Sequence, residues 1–317
     1  MKNFDVIGVA SSISPNKVYN YIAVGYFDES IITFHDYNTG AITGKINTNY
    51  CSAYNNLIET NTKYFVYLDE SKIVKVLSSK TLELLDVYNL ENYGNFGSIN
   101  SLKLVENTLY IFANSPIGSK EKKKDVFVIN LSTKTVLSLD SGLYIKKGTT
   151  INESGFVIYG NYLNQYKESG SCIKIYNSSS QEIDSYNIQA NKAISEVVIL
   201  ECNNKKLIRS CINFEDEDKN IILNLDHVVF GFDLQESENN IVAGYYSGLP
   251  KNKEIQSILI THNSNEPKYE IQIKNDNSSK NEIFQLPFDA ITGATSFDNE
   301  FFFFGADKKV IKMKLGI

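Results

Sequence analysis

Apolar and polar residues alternate along this chain in short runs, and the runs return at a near-constant interval. The clearest begin at Ile31, Ile73, Val126, Ile173, Ile221, Tyr269 and Val310, with separations of 42, 53, 47, 48, 48 and 41 residues. Period-2 alternation over so few residues predicts half-buried β-strands. Each run has a companion before it, starting near 21, 64, 109, 156, 207, 255 and 301. Most have one after it, as in Ala41–Ile46, Leu82–Val87, Thr135–Leu139 and Glu182–Ile188. An earlier strand opens each group: about Asp5–Ala10, Ser52–Ile58, Ile99–Val105, Lys146–Ile151, Ile194–Leu200, Asn240–Tyr246 and Ile291–Ser296. Small polar residues mark the tight turns, as in Tyr37-Asn38-Thr39-Gly40, Ser132-Thr133-Lys134 and Ser178-Ser179-Ser180.

A period of forty to fifty residues built only from strands predicts an all-β protein, a seven-bladed β-propeller with one four-stranded antiparallel sheet per repeat. The period covers nearly the whole chain, so residues 1–317 read as a single domain. Around residues 220–246 three runs crowd together, and a six-bladed count with extra strands is the alternative there.

The shape "alternating strand, Asp/Asn-x-Thr/Ser-Gly/Lys turn, short strand" is clearest at Phe34-His35-Asp36-Tyr37-Asn38-Thr39-Gly40. On it the chain resembles the WD40-like and YVTN-like propeller repeats over essentially its full length. The chain has no Trp, so the Trp-Asp dipeptide that names WD40 repeats is absent, and the buried Asp-His-Ser/Thr-Trp networks of such blades are not assignable.

The last repeat stops early. Phe301–Phe304 reads as a second strand buried on both faces and Val310–Leu315 as a third, with no fourth after it. Phe4–Ala10 serves either as a clasp that supplies it or as the opening strand of the first blade. Thirteen residues from Gly8 to Tyr21 are too few for both at full length. In the second case Val310, Lys312 and Lys314 lie along an open edge. The lysines would guard it against stray pairing, or a partner would donate a strand there.

Composition narrows the function. A net charge of −6 argues against general nucleic-acid affinity, and no run approaches the length of a membrane helix. The first residues show no apolar signal segment, which favours a cytoplasmic or nuclear location. The four cysteines read as free thiols. In a hairpin centred on Asn203-Asn204-Lys205-Lys206, Cys202 and Cys211 fall out of register for a disulfide. No Cys/His cluster predicts zinc, and no cofactor is expected.

No catalytic motif was found among the nucleophile elbow, phosphate loop and His-Glu-x-x-His patterns, and His35, His227 and His262 share no spacing. The loops between second and third strands vary most, and variable loops on a rigid scaffold carry function. The candidate partner-binding residues are Lys120, Lys122, Lys123 and Lys124 in the third blade, Tyr162 and Tyr166 in the fourth, and Glu215, Asp216, Glu217 and Asp218 in the fifth. The expectation is a non-catalytic interaction scaffold or complex subunit whose partners are other proteins. The alternative is a lactonase-like propeller hydrolase with a metal in the central channel, for which Glu59, Glu106, Glu153, Glu201 and Asp298 stand at corresponding positions after the first strands.

Overall fold

The structure is a computed structural model. It describes residues 2–27, 29–49, 57–115, 123–144, 146–150, 155–163, 169–188, 192–202, 205–214, 217–224, 229–231, 241–243, 256–263, 268–275, 281–286, 291–297 and 300–314. Their regular elements are strands, joined by turns and short loops, apart from one 3-10 turn at Leu90–Asn92.

The chain opens with β1 (Lys2–Asp5), and four sheets follow in sequence. The first is β2 (Ala10–Asn16), β3 (Tyr21–Tyr26), β4 (Ile31–Asp36) and β5 (Ile42–Asn47). The second is β6 (Ile58–Thr60), β7 (Tyr64–Glu70), β8 (Ile73–Ser78) and β9 (Leu84–Asn89). The third is β10 (Ile99–Val105), β11 (Thr108–Ala113), β12 (Val126–Asn130) and β13 (Thr135–Leu139). The fourth is β14 (Lys146–Thr150), β15 (Gly155–Leu163), β16 (Ser169–Asn177) and β17 (Glu182–Ile188). These four make up one compact unit, Ser11–Asn191.

The second unit comprises Met1–Ala10 and Lys192–Ile317. Its sheets are β18 (Lys192–Cys202), β19 (Lys205–Phe214), β20 (Glu217–Asn224) and β21 (Val229–Gly231), then β22 (Ile241–Ala243), β23 (Gln256–Asn263), β24 (Lys268–Asn275) and β25 (Asn281–Leu286). The last contains β26 (Ile291–Phe297), β27 (Glu300–Gly305) and β28 (Lys309–Lys314). Among the described residues there are thus seven four-stranded antiparallel sheets. All seven runs singled out by the period fall on the third strand of a separate sheet.

In the first sheet burial falls from the middle strands to the fourth. Every residue of β3 is buried, β4 is buried except at its ends, and β5 is mostly exposed. A middle strand packs on both faces and is therefore apolar at nearly every position. Phe301–Phe304 are all buried, as the sequence predicts. Rings line the space between sheets: Phe34 meets Phe65 across it at 5.2 Å, while within a sheet Tyr21 meets Phe34 edge-on at 5.3 Å and Phe156 stacks on Tyr176 at 4.8 Å. Such a ring pair contributes about 0.5–1.5 kcal/mol beyond the area it buries.

At the N-terminus both candidate strands exist, each displaced from its predicted place. β1 pairs antiparallel with β28 through Lys2↔Lys312, Asn3↔Ile311, Phe4↔Val310 and Asp5↔Lys309, and Val6 N donates to the Lys308 carbonyl at 2.9 Å. The opening strand of the first sheet is instead the serine-rich Ala10–Asn16, which contains Pro15. The clasp is short and early, so both fit before Tyr21. The open edge at Val310, Lys312 and Lys314 is therefore corrected. Val310 and Lys312 are paired to β1, and Lys314 lies beyond the paired stretch. Lys312 is no solvated guard: it is largely buried, 3.2 Å from Glu300 Oε2 and over the Phe302 ring. A strand donated there by a partner has no place to bind.

In the β18–β19 hairpin Cys202 sits opposite Lys205 and Cys211 opposite Glu196, out of register as expected. Cys172 is a buried thiol in no disulfide, and Cys51 lies outside the described residues. No helix among the described residues is long and apolar enough to cross a membrane.

Candidate interaction surfaces

The turns joining third to fourth strands in the first four sheets share one construction. Asp36 Oδ1 accepts from Asn38 N at 3.0 Å and Thr39 N at 2.7 Å. Ser78 Oγ accepts from Thr81 N, Asn130 Oδ1 from Ser132 N and Thr133 N, and Asn177 Oδ1 from Ser179 N and Gln181 N. A short side chain thus replaces backbone partners at the turn, which is why Asp, Ser and Asn recur there. Each turn then places one residue at positive φ: Gly40 (77°), Leu82 (58°), Lys134 (58°) and Ser180 (60°). For residues other than Gly this costs roughly 1–2 kcal/mol.

What the positive-φ residue carries differs from turn to turn. Leu82 packs into the apolar cluster between the first and second sheets. Lys134 reaches back to Asp86 on β9, Nζ to Oδ2 2.7 Å. Ser180 is too short to do either, and beside it a cleft of about 610 Å³ opens between the third sheet and the 178–180 turn of the fourth. Two cross-strand rows of the third sheet form its wall. One is polar, Thr108–Asn130–Thr135, and the other apolar, Tyr110–Val128–Leu137. Cross-strand partners share a face, so each row presents one chemistry. The apolar row runs from buried Tyr110 to Leu137, which is 49% exposed. Burial raises the Tyr110 pKa, so its phenol stays protonated. Glu106, at φ 50°, is the charged residue of the lining.

The predicted lysine loop leaves the opposite end of the same sheet, between β11 and β12. Lys120 and Lys122 lie outside the described residues, but the base of the loop is firmly held. Asp125 is fully buried, with Oδ1 accepting from Ser141 N at 2.9 Å and Oδ2 from Ser115 Oγ at 2.8 Å and Ser141 Oγ at 3.1 Å. Lys124 N donates to the Asn95 carbonyl at 3.1 Å, and Gly94 abuts the Lys124 side chain so closely that a Cβ on it would overlap. Lys123 sets its ammonium 4.9 Å from the centre of the Tyr144 ring, a cation–π contact worth about 0.5–1 kcal/mol at such a site.

The other candidates are only partly brought into view. Tyr162 is not in a loop: β15 and β16 extend further than predicted, and it pairs with Gly170. Tyr166, Glu215 and Asp216 lie outside the described residues. Glu217 and Asp218 belong to β20, opposite Phe214 and Asn213.

Of the positions considered for a metal, Glu59 is ion-paired to Lys103 at 2.8 Å, and the Glu106 carbonyl accepts from Asn61 Nδ2 at 2.7 Å. Glu153 and Asp298 lie outside the described residues, and Glu201 is seen only as part of β18. His35 is a packing residue, buried with Nε2 2.8 Å from Thr33 Oγ1 and Nδ1 2.9 Å from the Gly40 carbonyl. His262 is a β23 residue, and His227 lies outside the described residues.

No family model matches the chain, and no curated protein does. Solved structures do. The β-propeller domain of Cps50 (Swd1) from Myceliophteria thermophila superposes with a TM-score of 0.62 at 9% identity, over 99% of this chain and 99% of that one. The Dos1 propeller gives a TM-score of 0.63 at 13% identity, over 97% of this chain and 78% of that one. The chain has the β-propeller fold. Its sheets are propeller blades, and β1 supplies the fourth strand of the seventh. At these identities the likeness concerns the fold alone, so function rests on the propeller's own surfaces.

Proposed function

We propose that this propeller is a non-catalytic, WD40-like protein-interaction scaffold, a subunit of a larger assembly, with its seven blades forming one domain over residues 1–317. The observation that carries the reading is the locked base of the third-blade loop. Asp125, Lys124 and Lys123 are each tied to the blade, so the lysines that precede them start from a fixed point. A rigid base lowers the ordering cost a partner must overcome. Lys120, Lys122, Lys123 and Lys124 would meet an acidic surface of the partner, with Tyr162 and Tyr166 as neighbouring anchors. Glu215, Asp216, Glu217 and Asp218 would meet a basic one. The same reading places the protein in the cytoplasm or nucleus.

The test is recovery of a stoichiometric partner from native extract with the wild-type chain and with Lys120, Lys122, Lys123 and Lys124 all changed to Glu. The expected outcome is a partner that dissociates as salt rises and is lost with the variant. A chain that migrates alone at every concentration and salt would overturn the reading.

A further inference from the structure

The cleft beside Ser180 lies at the other end of the blades from the lysine loop, so nothing said of that loop accounts for it. At equivalent turns a side chain reaches across to the preceding blade: Leu82 packs between the first and second, and Lys134, itself mostly exposed, binds Asp86 between the second and third. Between the third and fourth the residue is Ser180 and the gap stays open, with Leu137 half exposed on its wall. Its volume of about 610 Å³ lies inside the range of roughly 300–1,000 Å³ typical of ligand sites.

We propose that this cleft is a peptide-binding site, occupied by a segment of a partner protein that seats one aliphatic side chain against Leu137 and Val128. The second blade identifies the kind of group that fits, because Leu82 is what the propeller itself places at the corresponding turn position. The rim supplies what the rest of a peptide needs. Asn130, Thr135 and the three serines 178–180 are neutral donors and acceptors suited to main-chain amides. Glu106 sets the charge preference, favouring a neutral or basic segment over an acidic one. A peptide whose leucine is ordered against this wall gains the burial that Leu137 now lacks.

The experiment is selection of a random dodecapeptide display library against the full chain, followed by fluorescence-polarisation titration of the enriched peptides. Wild type is compared with Ser180→Leu, which refills the gap as Leu82 does, and with Leu137→Ser, which removes the apolar wall. Ile183→Ser, at an exposed apolar position on the outer strand of the fourth blade, controls for general stickiness. The expected result is enriched peptides sharing an aliphatic residue without acidic neighbours, bound at least tenfold more weakly by both cleft variants and unchanged by Ile183→Ser. Circular dichroism verifies the fold, and Thr135→Arg at the rim replaces any variant that fails to fold. Failure to enrich such peptides, or equal binding by the cleft variants, overturns the proposal. So does a self-association that Leu137→Ser abolishes, because the occupant would then be a second copy of this chain.

Discussion

His35 shows how one side chain can be fixed by a neutral hydrogen-bond chain. Tyr26 Oη lies 2.6 Å from Thr33 Oγ1, which lies 2.8 Å from His35 Nε2, while Nδ1 faces the Gly40 carbonyl. The arrangement is satisfied when the tyrosine donates to the threonine, the threonine to Nε2, and Nδ1–H to the carbonyl. Burial pulls the His35 pKa below its ordinary 6.5, partly opposed by the Gly40 carbonyl. The unfolded chain therefore takes up the proton at a higher pH than the folded one. The stability contributed by this group is fully present above about pH 6.5 and is lost as pH falls from there toward the folded-state value. Urea midpoints measured from about pH 7.5 down to 5 are expected to decline more steeply for wild type than for His35→Gln. Equal slopes would mean that His35 titrates as it does in the unfolded chain. The sequence shows only that His35 shares no spacing with His227 and His262, and its partners are hidden, because nothing in the spelling of Tyr26 and Thr33 says that a hydroxyl will be buried.

Among the elements, strands two and three were the most legible, because burial on both faces leaves an unbroken apolar signature. Strand β2 was the least. Ser11, Ser12, Ser14 and Pro15 look like a loop, and only the sheet around them makes them a strand. The cleft was equally hidden: Ser178-Ser179-Ser180 reads as a turn, and its openness follows only from comparison with Leu82 and Lys134 in space. Strand β14 illustrates a close approach that a sequence cannot announce. A Cβ on Gly148 would overlap the Phe112 ring at its Cδ1 and Cε1, so Gly148→Ala is expected to cost about 1–3 kcal/mol by overpacking, with Phe112→Leu restoring part of it in a urea-denaturation double-mutant cycle. Strand β1 allows a second measurement. Removing residues 2–5 deletes a four-residue ladder, a loss of about 2–6 kcal/mol if it carries about four hydrogen bonds at roughly 0.5–1.5 each. Among Lys309–Lys312, the amides that face β1 should then lose hydrogen-exchange protection, and unchanged protection would show that the clasp contributes nothing.

For the molecule as a whole, the strand period carried nearly all of the fold, since each repeat must bury its faces against the next. The surfaces were less legible, because a loop's composition does not reveal whether its base is anchored. If the seven blades are one domain, urea unfolding should give a single transition, with tyrosine fluorescence and far-UV circular dichroism coinciding. Two separated midpoints would show that residues 11–191 and the remainder unfold independently. The clasp also dictates timing. Phe4 pairs with Val310, so the seventh blade cannot be completed until residue 310 has left the ribosome, and bringing such distant segments together is slow. Until then residues 2–5 have no sheet to join, and an unpaired strand is the kind of segment that chaperones shield during synthesis.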